Sequence, residues 1–346
     1  MNPHAKLLSL SSLLLGTTIT ISSNHWMMAW TGLEINTLAI IPLIAKSHHP
    51  RAIEATIKYF LVQATASALV LFSSLMNAWF TGQWDITQLN HPTSSLLLTT
   101  AIAMKLGLVP FHFWFPEVLQ GSPLNTALLL STVMKLPPIT ILFMTSHSLN
   151  PTLLTTMALA STALGGWMGL NQTQLRKILA FSSISHLGWM TIIMAYSPKL
   201  TLLSFYLYTL ITSTIFLTLN KTKTLKLPTM MTSWTKIPTL NATLMLTLLS
   251  LAGLPPLTGF LPKWLIIQEL TKQELTTTAT TIAMLSLLSL FFYLRLTYCS
   301  TITLPPNSMN HMKQWHINKP TNTTFAILTS LSTLLLPLSP MILTTV

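Results

Sequence analysis

Ala103-Met104-Lys105-Leu106-Gly107-Leu108-Val109-Pro110-Phe111-His112-Phe113-Trp114-Phe115-Pro116-Glu117 is the stretch on which the fold turns. A lysine sits deep in an apolar run, and a glycine and a proline follow within five residues. Proline lacks the backbone donor and its ring clashes with the preceding turn, so a helix through Lys105 has to break just after it. The pattern recurs. Gly107-Leu108-Val109-Pro110-Phe111 and Phe115-Pro116-Glu117 match Gly253-Leu254-Pro255-Pro256-Leu257 and Leu261-Pro262-Lys263 at a constant offset of 146 residues. A charge beside a broken helix, once in each half of an apolar chain, is the pattern of an ion pathway.

The composition fixes the solvent. Of 346 residues 50% are hydrophobic and only 7% charged, against about 25% charged in soluble domains. So few charges cannot cover a water-facing surface, and apolar runs recur from end to end. The expected fold is an all-α polytopic membrane protein. The net charge of +12 does not indicate nucleic acid, because the basic residues form no single patch with interleaved aromatics. A single cysteine, Cys299, excludes a disulfide framework and any Cys-ligated cluster or zinc site within the chain, and no metal site is expected. Met1 to Lys6 runs into Leu7–Ile21 with no cleavage pattern, so the first apolar segment is expected to be a true span.

Eleven spans follow from the apolar runs and the turn signals between them: 4–22, 25–45, 54–80, 94–115, 123–145, 151–170, 174–196, 199–219, 238–269 (broken), 274–299 and 323–345. Each is long enough for a hydrocarbon core of roughly 30 Å. Asn220 to Pro238 carries Lys221, Lys223, Lys226 and Lys236 among apolar residues and is expected to lie in the interface, its lysines reaching headgroups of phospholipids. Pro305 to Pro320 reads as a polar connector.

With eleven spans, loops alternate between two sides. The N-terminal side receives Lys6, Lys46, Arg51, Lys58, Arg176, Lys177, Lys221, Lys223, Lys226, Lys236, Arg295, Lys313 and Lys319, and the other side only Lys199 and Lys272. By the positive-inside rule the N-terminus faces the cytoplasm or matrix and the C-terminus the opposite side. The offset maps the fourth span onto the ninth. Each repeat then holds five helices, with repeat one at about 1–146, repeat two at about 150–300, and a C-terminal helix at about 323–345 outside both. Five is odd, so the second repeat enters from the opposite side and the two are expected to be inverted. The helices are expected to break near 105–111 and 253–262.

The loop count leaves Lys105, Lys135 and Lys263 as the basic residues inside spans, and Glu34 is the acid lodged in one, within Trp30-Thr31-Gly32-Leu33-Glu34-Ile35-Asn36. Such residues cost roughly 2.5–3.5 kcal/mol each and mark proton or ion routes; the alternative is charges paired to hold helices together. If Glu34 and Lys105 lie about 7 Å apart at an effective dielectric near 20, they attract by roughly 2.4 kcal/mol, so moving them apart pushes the lysine toward releasing its proton. Lys263 has the further option of snorkelling to a membrane face. His186 shares a helical face with Ser182 and Ser185, which suits proton passage as well as it suits a histidine satisfied by a hydroxyl. Tyr59, Gln63 and Ser67 share another face and read as polar glue between helices. His112 reads as a gate of the break or a cap for freed backbone groups. No Gly-x-Gly-x-x-Gly, P-loop or Cys-x-x-Cys is present, and no histidine pair suits a haem, so no cofactor site is expected in this chain.

At these residues the chain resembles a known family. Trp30-Thr31-Gly32-Leu33-Glu34, Lys58-Tyr59-Phe60-Leu61-Val62-Gln63-Ala64, Met104 to Pro116, Gly169-Leu170-Asn171-Gln172-Thr173-Gln174 with Arg176-Lys177, Ser185-His186-Leu187-Gly188-Trp189 and Gly253 to Trp264 together resemble the antiporter-like subunit 2 family of the proton-pumping NADH:ubiquinone oxidoreductase, respiratory complex I, of mitochondrially encoded animal type. The resemblance implies a proton relay with a glutamate–lysine pair at Glu34 and Lys105, a connecting lysine at Lys135, a histidine at His186 and a terminal lysine at Lys263. It implies the mitochondrial inner membrane, neighbouring antiporter-like and other membrane-arm subunits as partners, and NADH, flavin, iron–sulfur clusters and ubiquinone held elsewhere in the complex. Relative to bacterial members, three N-terminal helices are expected to be missing, with a neighbouring subunit or lipid over the exposed flank. Two readings stand beside it: a free-standing cation/proton antiporter and a purely structural assembly subunit.

Overall fold

Among the described residues six helices start on a proline, at Pro3, Pro50, Pro92, Pro151, Pro198 and Pro238. There the missing N–H would have been unsatisfied anyway and the fixed φ favours the first turn. The turn signals in the sequence thus set the element borders. The computed structural model describes residues 3–47, 49–235, 238–301 and 323–339. Its α-helices are α1 (Pro3–Ser22), α2 (Trp26–Ile44), α3 (Pro50–Thr81), α4 (Pro92–Leu106), α5 (Trp114–Gly121), α6 (Leu124–Ser131), α7 (Leu136–Met144), α8 (Pro151–Gly169), α9 (Leu175–Met194), α10 (Pro198–Thr222), α11 (Leu227–Met231), α12 (Pro238–Ala252), α13 (Phe260–Lys272), α14 (Thr276–Thr301) and α15 (Thr323–Leu334).

Seven stretches among the described residues are long and apolar enough to cross a membrane, with Leu124–Met144 counted as one. The other expected spans are α8, the interrupted pairs α4–α5 and α12–α13, and α15, beyond which the expected C-terminal helix runs outside the described residues. The connector Pro305–Pro320 and Lys236 also lie outside them. The interfacial segment becomes α11 and a 3-10 turn, Thr232–Thr235.

Polarity is arranged for lipid. Leu7, Leu14, Trp79, Trp167 and Met284 are exposed, while serines and threonines fill the interior. Their hydroxyls donate to carbonyls three residues back, as in Thr20 to Thr17 O at 2.8 Å, Ser73 to Val70 O at 2.7 Å and Thr214 to Ile211 O at 2.7 Å. Polar residues that satisfy themselves within their own helix can be buried without water. The chain is an all-α polytopic membrane protein.

Both expected breaks are present, and each is made the same way. Gly107 (φ 77°) and Gly253 (φ 79°) take the left-handed conformation that ends α4 and α12. After α4, Gly107 N donates to Met104 O and Leu108 N to Ala103 O; after α12, Gly253 N donates to Ser250 O and Leu254 N to Leu249 O. This paired bonding satisfies carbonyls that a broken helix would leave orphaned in lipid. A cis X-Pro bond follows each glycine, at Val109-Pro110 and Pro255-Pro256.

The chain divides into two compact units, Met1–Ser161 with Met194–Pro198, and Thr162–Ile193 with Lys199–Val346. In the first, the loop before α2 pairs antiparallel with the loop before α4 at His25 and Asp85. In the second, the loop before α9 pairs with that before α11 at Gln174 and Lys226. Each unit therefore ties its first and third connections together. In the second, α15 packs against α12, with the Thr258 hydroxyl donating to Ser332 O and Lys221 Nζ 4.0 Å from the Phe325 ring centroid.

In the first unit α1 and α2 touch backbone to backbone. A Cβ added at Gly32 would lie 2.6 Å from Thr20 Cγ2 and 2.9 Å from Gly16 O, the close approach that small residues allow between membrane helices. Gly32→Ala is expected to destabilise the chain by about 1–3 kcal/mol through overpacking. A thermal-denaturation midpoint equal to that of the parent would contradict this packing.

Candidate functional site

Lys105 lies in the last turn of α4, 6% exposed. The carbonyls beside it are held from two directions. Trp114 Nε1 donates to Met104 O at 3.2 Å and Gln63 Nε2 of α3 donates to Lys105 O at 3.3 Å. The backbone around the lysine is thus fixed, while its Nζ is buried with no hydrogen-bond partner. Glu34, half-buried on α2, makes no ion pair with it within 4.0 Å. The Glu34 carboxylate accepts from Thr37 Oγ1 at 3.1 Å.

Lys135 departs from the expected geometry. The fifth expected span, 123–145, reads as one helix, but the chain tightens into a 3-10 turn at Val133–Lys135 between α6 and α7. Pro137 and Pro138 follow at once; in a continuous helix their rings would collide with the carbonyls of Val133 and Met134. The turn places Lys135, 3% exposed, with Nζ 4.7 Å from the Phe115 ring centroid. A cation over an aromatic face gains roughly 2 kcal/mol when desolvated. Lys105 and Lys135 line one cavity of about 20 Å³, measured as space open to the centre of a water molecule, together with Asn36, Thr37, Tyr59 and Gln63.

The second unit holds a matching cavity of about 20 Å³, lined by His186 of α9, Lys263 of α13, Trp189, Ser204 and Tyr208. The His186 ring centroid is 5.5 Å from that of Tyr208. Lys263 reaches back across the break. Its Nζ donates to Ala252 O, the last carbonyl of α12, at 2.8 Å, and lies 5.8 Å from the Trp189 ring centroid. A cation there also meets the negative end of the helix dipole. Lys263 therefore does not snorkel to a membrane face.

The structure thus groups Lys105 with Lys135, and His186 with Lys263, with Glu34 one hydrogen bond from the first cavity through Thr37. Ser182 and Ser185 spend their protons on Leu179 O and Ser182 O, and neither lines the second cavity, where Tyr208 and Ser204 stand instead. His112 is buried in the turn after α4, its ring 4.2 Å from that of Phe113, and Glu117 is exposed and pairs with Lys58, which also meets Glu54. Asn36, Thr37, Trp114 and Trp189 were not distinguishable as site residues in the sequence; ordinary polar and aromatic side chains become part of a site only when the fold turns them onto a buried charge. Among the described residues no group of three or more His, Cys, Asp or Glu side chains is placed to hold a metal.

This arrangement has relatives. Residues 23–289 match the model of the NADH:quinone oxidoreductase/Mrp antiporter transmembrane family, and residues 290–343 match that of the NADH dehydrogenase subunit 2 C-terminus. The NADH-ubiquinone oxidoreductase chain 2 of Struthio camelus is 81% identical over 99% of both chains. Among solved structures, a chain of respiratory complex I from Thermus thermophilus superposes with TM-score 0.84 at 25% identity, over 97% of this chain and 80% of its own. A chain of the Mrp complex from a Dietzia species gives 0.77 at 18% identity, over 85% and 60%, a likeness of fold alone.

Gly253→Ala is expected to harm the chain more than Gly82→Ala. Both glycines have positive φ, 79° and 72°, so each substitution costs about 1–2 kcal/mol of backbone strain. Only at Gly253 does the new Cβ meet another group, Lys263 Cδ at 2.9 Å and Nζ at 3.0 Å, whereas nothing lies within 4 Å at Gly82. Thermal denaturation of the two variants side by side checks the difference; equal midpoints would refute it.

Proposed function

Because the chain belongs to the subunit 2 family of NADH:ubiquinone oxidoreductase, a membrane-arm subunit of a proton-translocating enzyme, we propose that the buried Lys105 and Lys135 and the half-buried His186 and Lys263 are proton carriers, two in each compact unit. The observation that carries this reading is the pairing itself. Each unit surrounds a water-sized cavity with two basic side chains inside an apolar fold. Lys105 and Lys135 serve the first, His186 and Lys263 the second. Glu34 modulates Lys105 through space, so that movement of α2 against α4 changes the tendency of Lys105 to release its proton. The expected inverted repeats, about 1–146 and 150–300, would carry one of these cavities each, with the helix breaks at equivalent points.

Electron transfer from NADH to ubiquinone belongs to other subunits in this reading, with flavin and iron–sulfur clusters carried there, and this chain contributes proton movement. Its place is the mitochondrial inner membrane, among other membrane-arm subunits and phospholipid. Lys46 lies on the matrix side and Lys272 on the intermembrane-space side. Full-length identity to chain 2 proteins favours an assembled subunit over a free-standing antiporter.

Two measurements test this. In the assembled complex, Lys105→Ala and Glu34→Ala are each expected to lower the protons moved per NADH oxidised, with complex abundance on a native gel near that of the parent. An unchanged ratio in both would refute proton carriage, and lost abundance with an unchanged ratio would indicate a structural role. In a Cys299→Ser background, an impermeant maleimide applied to the intermembrane face of mitoplasts is expected to label Lys272→Cys and spare Lys46→Cys. The reverse pattern would invert the topology.

A further inference from the structure

The first cavity is bounded by more orphaned polar groups than proton carriers. Lys105 Nζ, Tyr59 Oη and both amide atoms of Asn36 are buried with no hydrogen-bond partner, and all three residues line the same space. Leaving one such group unsatisfied costs about 1–3 kcal/mol, and more for a charge. Three converging residues in an apolar interior are therefore unlike packing filler. A space of about 20 Å³ exceeds the roughly 10–15 Å³ that one water needs, and a buried water takes two to four polar partners.

Thr37 adds the link to Glu34. It lines the cavity, and its Oγ1 lies 2.8 Å from Glu34 O and 3.1 Å from Glu34 Oε2. A hydroxyl has one proton to donate and two lone pairs to accept with. When the carboxyl is protonated it donates to Thr37 Oγ1 while Thr37 donates to Glu34 O, and both contacts are satisfied. When it is ionised, Thr37 has two acceptors for one proton. Both contacts are therefore satisfied at once only when Glu34 holds a proton, and Thr37 stands between Glu34 and the cavity. The packing behind the site supports it: a Cβ at Gly16 would meet Asn36 Oδ1 at 2.5 Å, so α1 holds the amide in place.

We propose that Thr37, Tyr59 and Asn36 form a water-binding site that passes the proton between Glu34 and Lys105, which share no direct contact. The inference rests on Lys105 and Glu34 acting in proton movement. In the transfer, the Glu34 O–H bond breaks as the Thr37 oxygen takes that proton. The Thr37 hydroxyl turns from Glu34 O toward the cavity so that its proton passes to water, and water gives one of its protons to the Lys105 amine. Each oxygen in between gains and loses one O–H bond, and the result is a carboxylate and an ammonium. Thr37 carries the proton in this step, and Tyr59 and Asn36 are positioning residues that hold the water.

The test uses the assembled complex in proteoliposomes. Thr37→Val and Tyr59→Phe keep the shape and remove one hydroxyl each. Both are expected to slow NADH-driven proton movement by about two- to tenfold, the worth of one hydrogen bond, and to change its H2O/D2O ratio. Thr37→Ser is expected to restore the parent rate and ratio. Parent behaviour in Thr37→Val and Tyr59→Phe, alongside impaired Glu34→Ala and Lys105→Ala, overturns the water site alone. Parent behaviour in all four overturns proton carriage itself. Should the variants not assemble, a map of the parent complex that resolves waters decides: density within hydrogen-bond distance of both Lys105 Nζ and Tyr59 Oη is expected, and none there overturns the proposal.

Discussion

An ammonium in an apolar interior has to be compensated by something, and the surroundings of Lys105 are organised by that demand. No carboxylate touches it. The polar lining of a small cavity surrounds it, and in the proposed reading Glu34 compensates it from a distance. A direct buried ion pair would hold the two charges together and make the lysine hard to discharge, since breaking such a pair costs about 3–5 kcal/mol. Separation keeps the interaction small enough to be changed by movement. The fixed backbone around the lysine, with Trp114 and Gln63 on adjacent carbonyls, means that the movable part is the side chain or α2, not the break itself.

The two units solve the same problem from opposite sides of equivalent breaks. Lys105 precedes Gly107, and the position that matches it in the second half is Leu251. Lys263 follows Gly253, and its match in the first half is Glu117, which lies at the surface with Lys58. Lys263 spends its charge on the helix-end carbonyl of Ala252, whereas the first unit reaches that end with neutral donors. One architecture thus carries a lysine that is tethered and a lysine that is not. Aromatic faces complete both: Phe115 lies under Lys135 and Trp189 under Lys263.

The spans, the breaks and the short list of buried charges were legible because each rests on a strong local rule. Gly-x-x-Pro ends a helix, and a charge in an apolar run has few places to go. The 3-10 turn at Lys135 was also encoded, in Pro137-Pro138, but a proline pair is tolerated within membrane spans often enough to hide it. The cavity was not legible. Thr37 and Asn36 look like any polar residue in a membrane helix, and only packing decides which hydroxyl keeps its own backbone acceptor and which faces a charge. Ser182 and Ser185 show the same limit in reverse, since their helical face matched His186 but their protons stay within α9.

Whether Glu34 and Lys105 act as one unit without contact is decided by a double-mutant cycle. Proton movement per NADH is measured in the assembled complex for the parent, Glu34→Gln, Lys105→Met and the double variant. If Glu34 works only through Lys105, the double variant loses no more than Lys105→Met alone, and the coupling term is large. Losses that simply add would mean that the two residues act independently, and the account of the first unit would be wrong.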